Sequence, residues 1–257
     1  MCIAIYKPGK ELFWDSIGGL EGHHKSNPDG CGFMYAADGR INIEKGHYSY
    51  TEFLGLYNYH FLMFPGDFIF HFRTASSSDT TDQMCHPFFV DDNLAFVHNG
   101  NLFEFMTFFR EGFNDNKSDT VRFNEQILQR LPKGFLFVEE IRSVLEKYCK
   151  ENLSKMIFLD SSGHVEIINS QAGMWENGAW YSNGGINNYC GYGYSGAYYY
   201  SQGDIRHKGG LMTNKIFNPE IQKNWEQCKH CKGFYRQLKQ ECCSGCQTFE
   251  TLKAFTS

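Results

Sequence analysis

The uncharged run GGINNYCGYGYSGAYYYSQG, residues 184–203, constrains this chain more than any other feature. It holds little besides Gly, Tyr, Ser and Asn, so it lacks the aliphatic side chains a core requires. It reads as a linker, with a tyrosine-rich contact segment as the alternative. The core must therefore come from the residues before it, and the residues after it form a separate unit. Charge divides the chain in the same way. From Asp204 onward there are nine Lys or Arg and five Asp or Glu, a balance of +4, against −9 for the first 203 residues. The expected organisation is a domain over residues 2–183, a linker over 184–220 and a small module over 221–250.

Within 2–183 the hydrophobic period alternates between two values. CIAIY at 2–6, Phe33–Tyr35, DFIFHFRTA at 67–75 and NLAFVHNG at 93–100 read as buried strands. Ser49–Phe61 has helical spacing. Ser49 with Glu52 three residues on forms a capping box, and Pro65-Gly66 stops the helix. Ser118-Asp119 should cap a helix running through Val121–Leu131, and Phe137–Cys149 should form another. Lys155–Leu159, His164–Asn169 and Gly178–Ser182 read as short strands, and Ser76–His86 as a polar loop. Strands, then helices, then strands predict an α+β domain with stacked sheets between helices.

Composition narrows the function. Hydrophobic residues make up 42% of the chain, enough for a core, and the net charge of −5 argues against a global nucleic-acid or membrane surface. No apolar run approaches the roughly 18 residues of a membrane span. No basic region leads into an apolar stretch at the N-terminus, so no secretion signal is read and a cytoplasmic, reducing location is the default. There, ten cysteines suit metal binding, nucleophilic chemistry or core filling better than disulfides.

Cys2 is the first of these cysteines. Aminopeptidases remove Met when the next side chain is small. Cys2 would then carry a free α-amine with a reference pKa of about 8 beside a thiol near 8.5, so that one residue supplies base and nucleophile. Simple packing in a strand is the competing reading. Asn99-Gly100, in HNGNL, either makes a tight turn or aims an amide and a backbone N–H at a developing oxyanion. Arg73 lies among apolar strand residues. A charge there must be paired, either structurally or with a substrate carboxylate. Asp119 either caps a helix or binds a substrate ammonium.

Taken in order, Cys2, NPDGCGF, HFRTA, CHPF, HNGNL and SDT resemble class II glutamine amidotransferase domains, which belong to the N-terminal-nucleophile hydrolases. The resemblance covers roughly residues 2–183, with WYSN at 180–183 as the closing strand. It implies a four-layer αββα sandwich and amide hydrolysis by the N-terminal cysteine, with glutamine as substrate and ammonia released to an acceptor. Cys2 matches the nucleophile, and Asn99 and Gly100 match the oxyanion site. Arg73 matches the group that binds the glutamine α-carboxylate, and Asp119 the group that binds its α-amine. Thr74 and Ser76 offer hydroxyls to the carboxylate, and His86 lies in the HP loop. Asn27, Asp29 and Gly30 match the segment that supports the nucleophile. One departure stands out: Thr74-Ala75-Ser76-Ser77-Ser78 lacks the glycine that often follows in the family.

In the tail, Cys228-x2-Cys231 and Cys243-x2-Cys246 lie 11 residues apart, the pattern of a tetrahedral structural Zn2+ site, with Cys242 and His230 as alternative ligands. Zinc would supply much of the folding energy of so short a module. Lys229, Lys232, Arg236 and Lys239, with Phe234 and Tyr235, would suit nucleic acid, but such modules more often dock proteins or act as caps. The chain is too short to contain the large acceptor domains that usually receive the ammonia, so the acceptor is expected on a partner protein. Two other readings stay open: an amidase for a different γ-glutamyl compound, and an inactive domain that binds through its zinc module.

Overall fold

In the computed structural model the described residues are 2–9, 19–75, 80–106, 117–183, 225–227, 234–236 and 244–256. The first long sheet is built around β1 (Ile3–Lys7), β2 (Cys31–Ala37), β3 (Arg40–Gly46) and β4 (Phe68–Phe72). It is completed by β9 (Met174–Glu176) and β10 (Ala179–Tyr181), in the order β3-β2-β4-β1-β10-β9. The second sheet holds β5 (Phe88–Asp91), β6 (Leu94–Asn99), β7 (Lys155–Asp160) and β8 (Val165–Ile168), in that order. Every pairing in both sheets is antiparallel.

Alternation along the strands sets the layers, because successive side chains leave a strand on opposite faces. Phe68, Phe70 and Phe72 of β4 join Ile3, Ile5 and Phe33 on one face, where Phe53, Tyr57 and Phe61 of α2 (Tyr50–Met63) cover them. Leu20 of α1 (Gly19–Ser26) completes this cluster. The opposite face presents Ala4, Met34 and Ile69 to Ala95, Val97, Ile157 and Leu159 of the second sheet. The outer face of that sheet, with Phe96, Met156 and Phe158, packs on α3 (Asp119–Gln126) and α4 (Glu139–Glu151) through Phe123, Ile141 and Leu145. The order is helix, sheet, sheet, helix.

Side-chain capping decides where α2 and α3 begin. Ser49 Oγ accepts from the Glu52 N–H, and Glu52 reaches back to the Ser49 N–H, closing the expected box. Ser118 Oγ accepts from the Val121 N–H and starts α3. That helix ends at Gln126, five residues before the expected Leu131. Leu131 precedes Pro132, whose ring disfavours helical backbone in the residue before it, and the chain breaks into a short 3₁₀ turn at Leu128–Arg130. The loop expected at 76–86 likewise contains a 3₁₀ turn, Asp82–Met84.

The region after the linker is described only in part. β11 (Trp225–Gln227) and β12 (Phe234–Arg236) pair antiparallel. A last helix, α5 (Ser244–Ala254), straddles the expected end of the zinc module. Its Phe249 and Leu252 are buried in the α3–α4 cluster, where Phe249 meets Phe105 edge to face. Cys228, Cys231 and Cys243 lie outside the described residues, as do Cys242, His230 and the 184–220 linker, and of Cys246 only the backbone is described. Among the described residues no helix is long and apolar enough to cross a membrane.

Candidate active site

β1 and β6 come from different sheets, and their ends bring Cys2 and Asn99 together. Asn99 continues the Ala95–Val97 face of β6, so its side chain enters the space between the sheets. There its amide donates to the Cys2 carbonyl at 2.5 Å. Asn183, one residue past Ser182, whose Oγ accepts from the Ala4 N–H, donates to the same carbonyl at 2.7 Å. The Cys2 backbone is thus fixed by two amides, one from the end of each sheet.

The thiol is held from a third direction. The Thr74 N–H donates to Cys2 Sγ at 3.1 Å, and Sγ lies 3.2 Å from the Thr74 carbonyl oxygen. Burial pushes the thiol above its ordinary pKa. The Thr74 N–H opposes that shift, as does the Arg73 charge, while Asp119 adds to it. A thiol raised in this way is mostly protonated at neutral pH, so it needs a nearby base to become a nucleophile.

Residues 27–30 position Thr74. The Asp29 N–H donates to the Arg73 carbonyl and the Arg73 N–H to the Gly30 carbonyl, extending the β2–β4 pairing past the strand ends. Thr74 Oγ1 donates to Asn27 Oδ1 at 2.7 Å, and Asn27 Nδ2 donates to the His23 carbonyl. Asp29 Oδ2 accepts from the Ala75 N–H at 2.8 Å. Arg73 is only 4% exposed, and its Nη1 donates to the Asp29 carbonyl at 3.2 Å. Asn27, Asp29 and Gly30 therefore brace the segment that touches the thiol.

The turn after β6 is built around Gly100. Its φ of +136° is a conformation few other residues adopt, and a Cβ there would lie 2.6 Å from Ser154 Cα. Ser154 Oγ donates to the Asn101 carbonyl at 2.8 Å and lies 3.1 Å from His98 Nε2. Asp119 closes the turn from the helix side: Oδ2 accepts from the Leu102 N–H at 2.9 Å and Oδ1 from the Thr120 N–H at 2.8 Å. A carboxylate has about four acceptor sites, so these bonds leave capacity for an ammonium.

His86 lies among the buried histidines of β4 and β6. Its Nδ1 accepts from the His98 N–H at 3.3 Å, and its ring packs against His71 at 4.0 Å between centroids. Burial holds all three imidazoles below the ordinary range, His71 at about 3 and His98 at about 4, so they are neutral at physiological pH. Ser76 lies outside the described residues.

The structure thus brings Cys2, Thr74, Arg73, Asn99 and the Asn27–Gly30 segment into one bonded set, with Gly100 and Asp119 on the adjoining turn. Asn183 joins the same set through the Cys2 carbonyl, and Ser154 packs against the Gly100 turn; WYSN was read only as a closing strand, without a site role for Asn183. Asn183 could have been found as the polar end of the closing strand; Ser154 carries no local signal.

Neither a protein-family model nor a curated protein sequence matches the chain. Among solved structures, the chain is similar to a glutamine phosphoribosylpyrophosphate amidotransferase from B. subtilis, solved with ADP and GMP. Identity is 18% and the TM-score 0.44, over 70% of this chain and 41% of that one. It is also similar to a glutamine aminotransferase class-II domain protein from Silicibacter pomeroyi, at 16% identity and a TM-score of 0.34, over 63% of this chain and 73% of that one. The chain thus spans less than half the length of the first of these structures.

Proposed function

We propose that the chain is an N-terminal-nucleophile amide hydrolase of the class II glutamine amidotransferase type, with glutamine as substrate and Cys2 as nucleophile. The observation that carries the reading is the contact of Cys2 with both Thr74 and Asn99. A braced backbone N–H meets the Cys2 thiol, while a side-chain amide from the opposite sheet holds the Cys2 carbonyl.

In this reading, removal of Met1 frees the Cys2 α-amine. The amine takes the thiol proton as Sγ attacks the side-chain carbonyl carbon of glutamine. The negative charge that develops on the carbonyl oxygen is met by the Asn99 amide and the Gly100 N–H. One such donor contributes roughly 3 kcal/mol. The amine then returns its proton to the departing nitrogen, the C–N bond breaks, ammonia leaves and a γ-glutamyl thioester stays on Cys2. Water, deprotonated by the same amine, cleaves the thioester to give glutamate and the free thiol. Arg73 pairs with the substrate α-carboxylate, with Thr74 and Ser76 hydroxyls beside it, and Asp119 pairs with the α-ammonium. His86 stays outside the chemistry as a neutral support of His98.

The ammonia would pass to an acceptor on a partner protein. A zinc ion on Cys228, Cys231, Cys243 and Cys246 would shape the tail that docks there, and the setting would be the cytoplasm. Ammonia release from glutamine, compared between wild type and Cys2→Ala, tests the reading. Loss of release in the variant is expected, and equal rates would rule Cys2 out.

A further inference from the structure

The 3₁₀ turn Asp82–Met84 lies outside the site described above, and its C-terminal end is closed by the Cys85 N–H bonding to the Asp82 carbonyl at 3.1 Å. With three residues per turn, positions three apart share a face. Asp82 and Cys85 are such a pair, and their common face meets His47, just beyond the end of β3. The His47 ring nitrogen, an Asp82 carboxylate oxygen and Cys85 Sγ all lie within 4.8 Å of one another. His47 Nδ1 is 2.6 Å from Asp82 Oδ1, which also accepts from the His47 N–H at 3.1 Å.

Cys85 is fully buried, whereas His47 and Asp82 are exposed, so the trio forms a shallow site with a thiol at its floor. The floor is shaped for that sulfur. A Cβ on Gly30 would lie 2.2 Å from Cys85 Sγ, so only glycine leaves room for it. The thiol's hydrogen-bond contact is weak, 3.6 Å to the Thr81 carbonyl oxygen. The amide chemistry uses none of the three side chains.

One nitrogen, one carboxylate oxygen and one sulfur suit a borderline divalent cation better than Mg2+ or Ca2+, which prefer all-oxygen shells. Bonds of the usual zinc lengths place tetrahedral ligand atoms about 3.3–3.8 Å apart, within reach of this trio by small side-chain rotations. A carboxylate and a thiolate would cancel the charge of the ion. We infer that His47, Asp82 and Cys85 form a binding site for a zinc-like divalent cation, with a fourth position open to water. The ion displaces the Cys85 thiol proton and parts the His47–Asp82 pair, coordinating both. It ties the turn at 82–84 to the end of β3 and, through Cys85 against Gly30, to the segment that braces Arg73 and Thr74.

Co2+ is the probe, because its thiolate complexes have a charge-transfer absorption that reports sulfur ligation directly. The full-length chain carrying Cys228→Ser, Cys231→Ser, Cys243→Ser and Cys246→Ser removes any contribution from the tail. It should bind about one Co2+ per chain with that absorption. Cys85→Ser in this background should abolish the band, and His47→Ala should weaken Co2+ binding about tenfold or more. Absence of Co2+ binding, or a band indifferent to His47→Ala and Asp82→Asn, would overturn the inference. If the four-serine chain does not fold, metal content is compared between the otherwise unaltered chain and its His47→Ala variant, an exposed change that leaves the core intact. A loss of about one equivalent supports the site, and equal content overturns it.

Discussion

The backbone N–H of Thr74 donates to Cys2 Sγ at 3.1 Å, while the hydroxyl of the same residue donates to Asn27 Oδ1 at 2.7 Å. Thr74 therefore transmits the position of the 27–30 segment to the thiol. Replacing Asn27 with Ala removes the acceptor and should lower kcat for glutamine about tenfold through the Thr74 N–H, and raise KM through the Thr74 hydroxyl that the proposed reading sets beside the substrate carboxylate. Asn27→Asp retains an acceptor for the hydroxyl and should recover most of the loss. Steady-state ammonia release for the two variants checks this.

Gly100 is the least replaceable residue of the turn. In Gly100→Ala the new methyl would meet Ser154 Oγ at 2.5 Å and Ser154 Cα at 2.6 Å, at a φ of +136°. Positive-φ strain alone costs about 1–3 kcal/mol, and displacement of the turn should lower kcat at least about 100-fold. Adding Ser154→Ala removes the hydroxyl but leaves the clash with the main chain of residue 154, so the double variant should recover little. Recovery of wild-type kcat would show that the clash is with the side chain alone.

In the proposed reading Arg73 pairs with the substrate α-carboxylate, and a guanidinium binds a carboxylate in a forked geometry that an ammonium lacks. Arg73→Lys should raise KM for glutamine about tenfold or more. A γ-amide lacking the α-carboxylate should be a poor substrate for wild type and should lose little further in the variant. An equal KM penalty on both substrates would assign Arg73 to support of Asp29 alone.

The three buried imidazoles make stability depend on pH. Their folded pKa values lie below the unfolded value, about 3 for His71, about 4 for His98 and well below the ordinary range for His86, so the folded chain leaves them neutral. The stability they contribute is complete above the unfolded pKa near 6.5 and is lost as pH falls toward the folded values. Each contributes a slope of about 1.4 kcal/mol per pH unit in that window, and together they give about 4. Urea unfolding between pH 6.5 and 4 should show this, and His71→Leu should remove about one third of the slope. An unchanged slope would mean that His71 is protonated in the folded chain.

How far the sequence foretold these features depends on the range of the interactions. The strands at Phe68–Phe72 and Leu94–Asn99 were legible because each is a short, largely apolar run, as a strand buried on both faces must be. β3 was not: it lies at the edge of its sheet, and its two isoleucines are set among charged and polar residues. α1 was hidden because GLEGHHKS has two glycines and almost no apolar stripe. The ordered motifs picked out Cys2, Asn99 and Arg73, but the double support of the Cys2 carbonyl needed Asn183, 181 residues away. Asp119 was legible as a helix-terminal carboxylate, while its bond to the Leu102 N–H belongs to tertiary structure. The His47–Asp82 pair, 35 residues apart on unremarkable local sequence, had no signal.

The central claim is that Cys2 acts as an N-terminal residue, with its own α-amine as base. Intact mass of the purified protein, measured on the same preparation that releases ammonia from glutamine, tests it most directly. The account predicts a mass lacking Met1, with glutamine hydrolysis abolished in Cys2→Ala. A preparation that retains Met1 and still hydrolyses glutamine would contradict it.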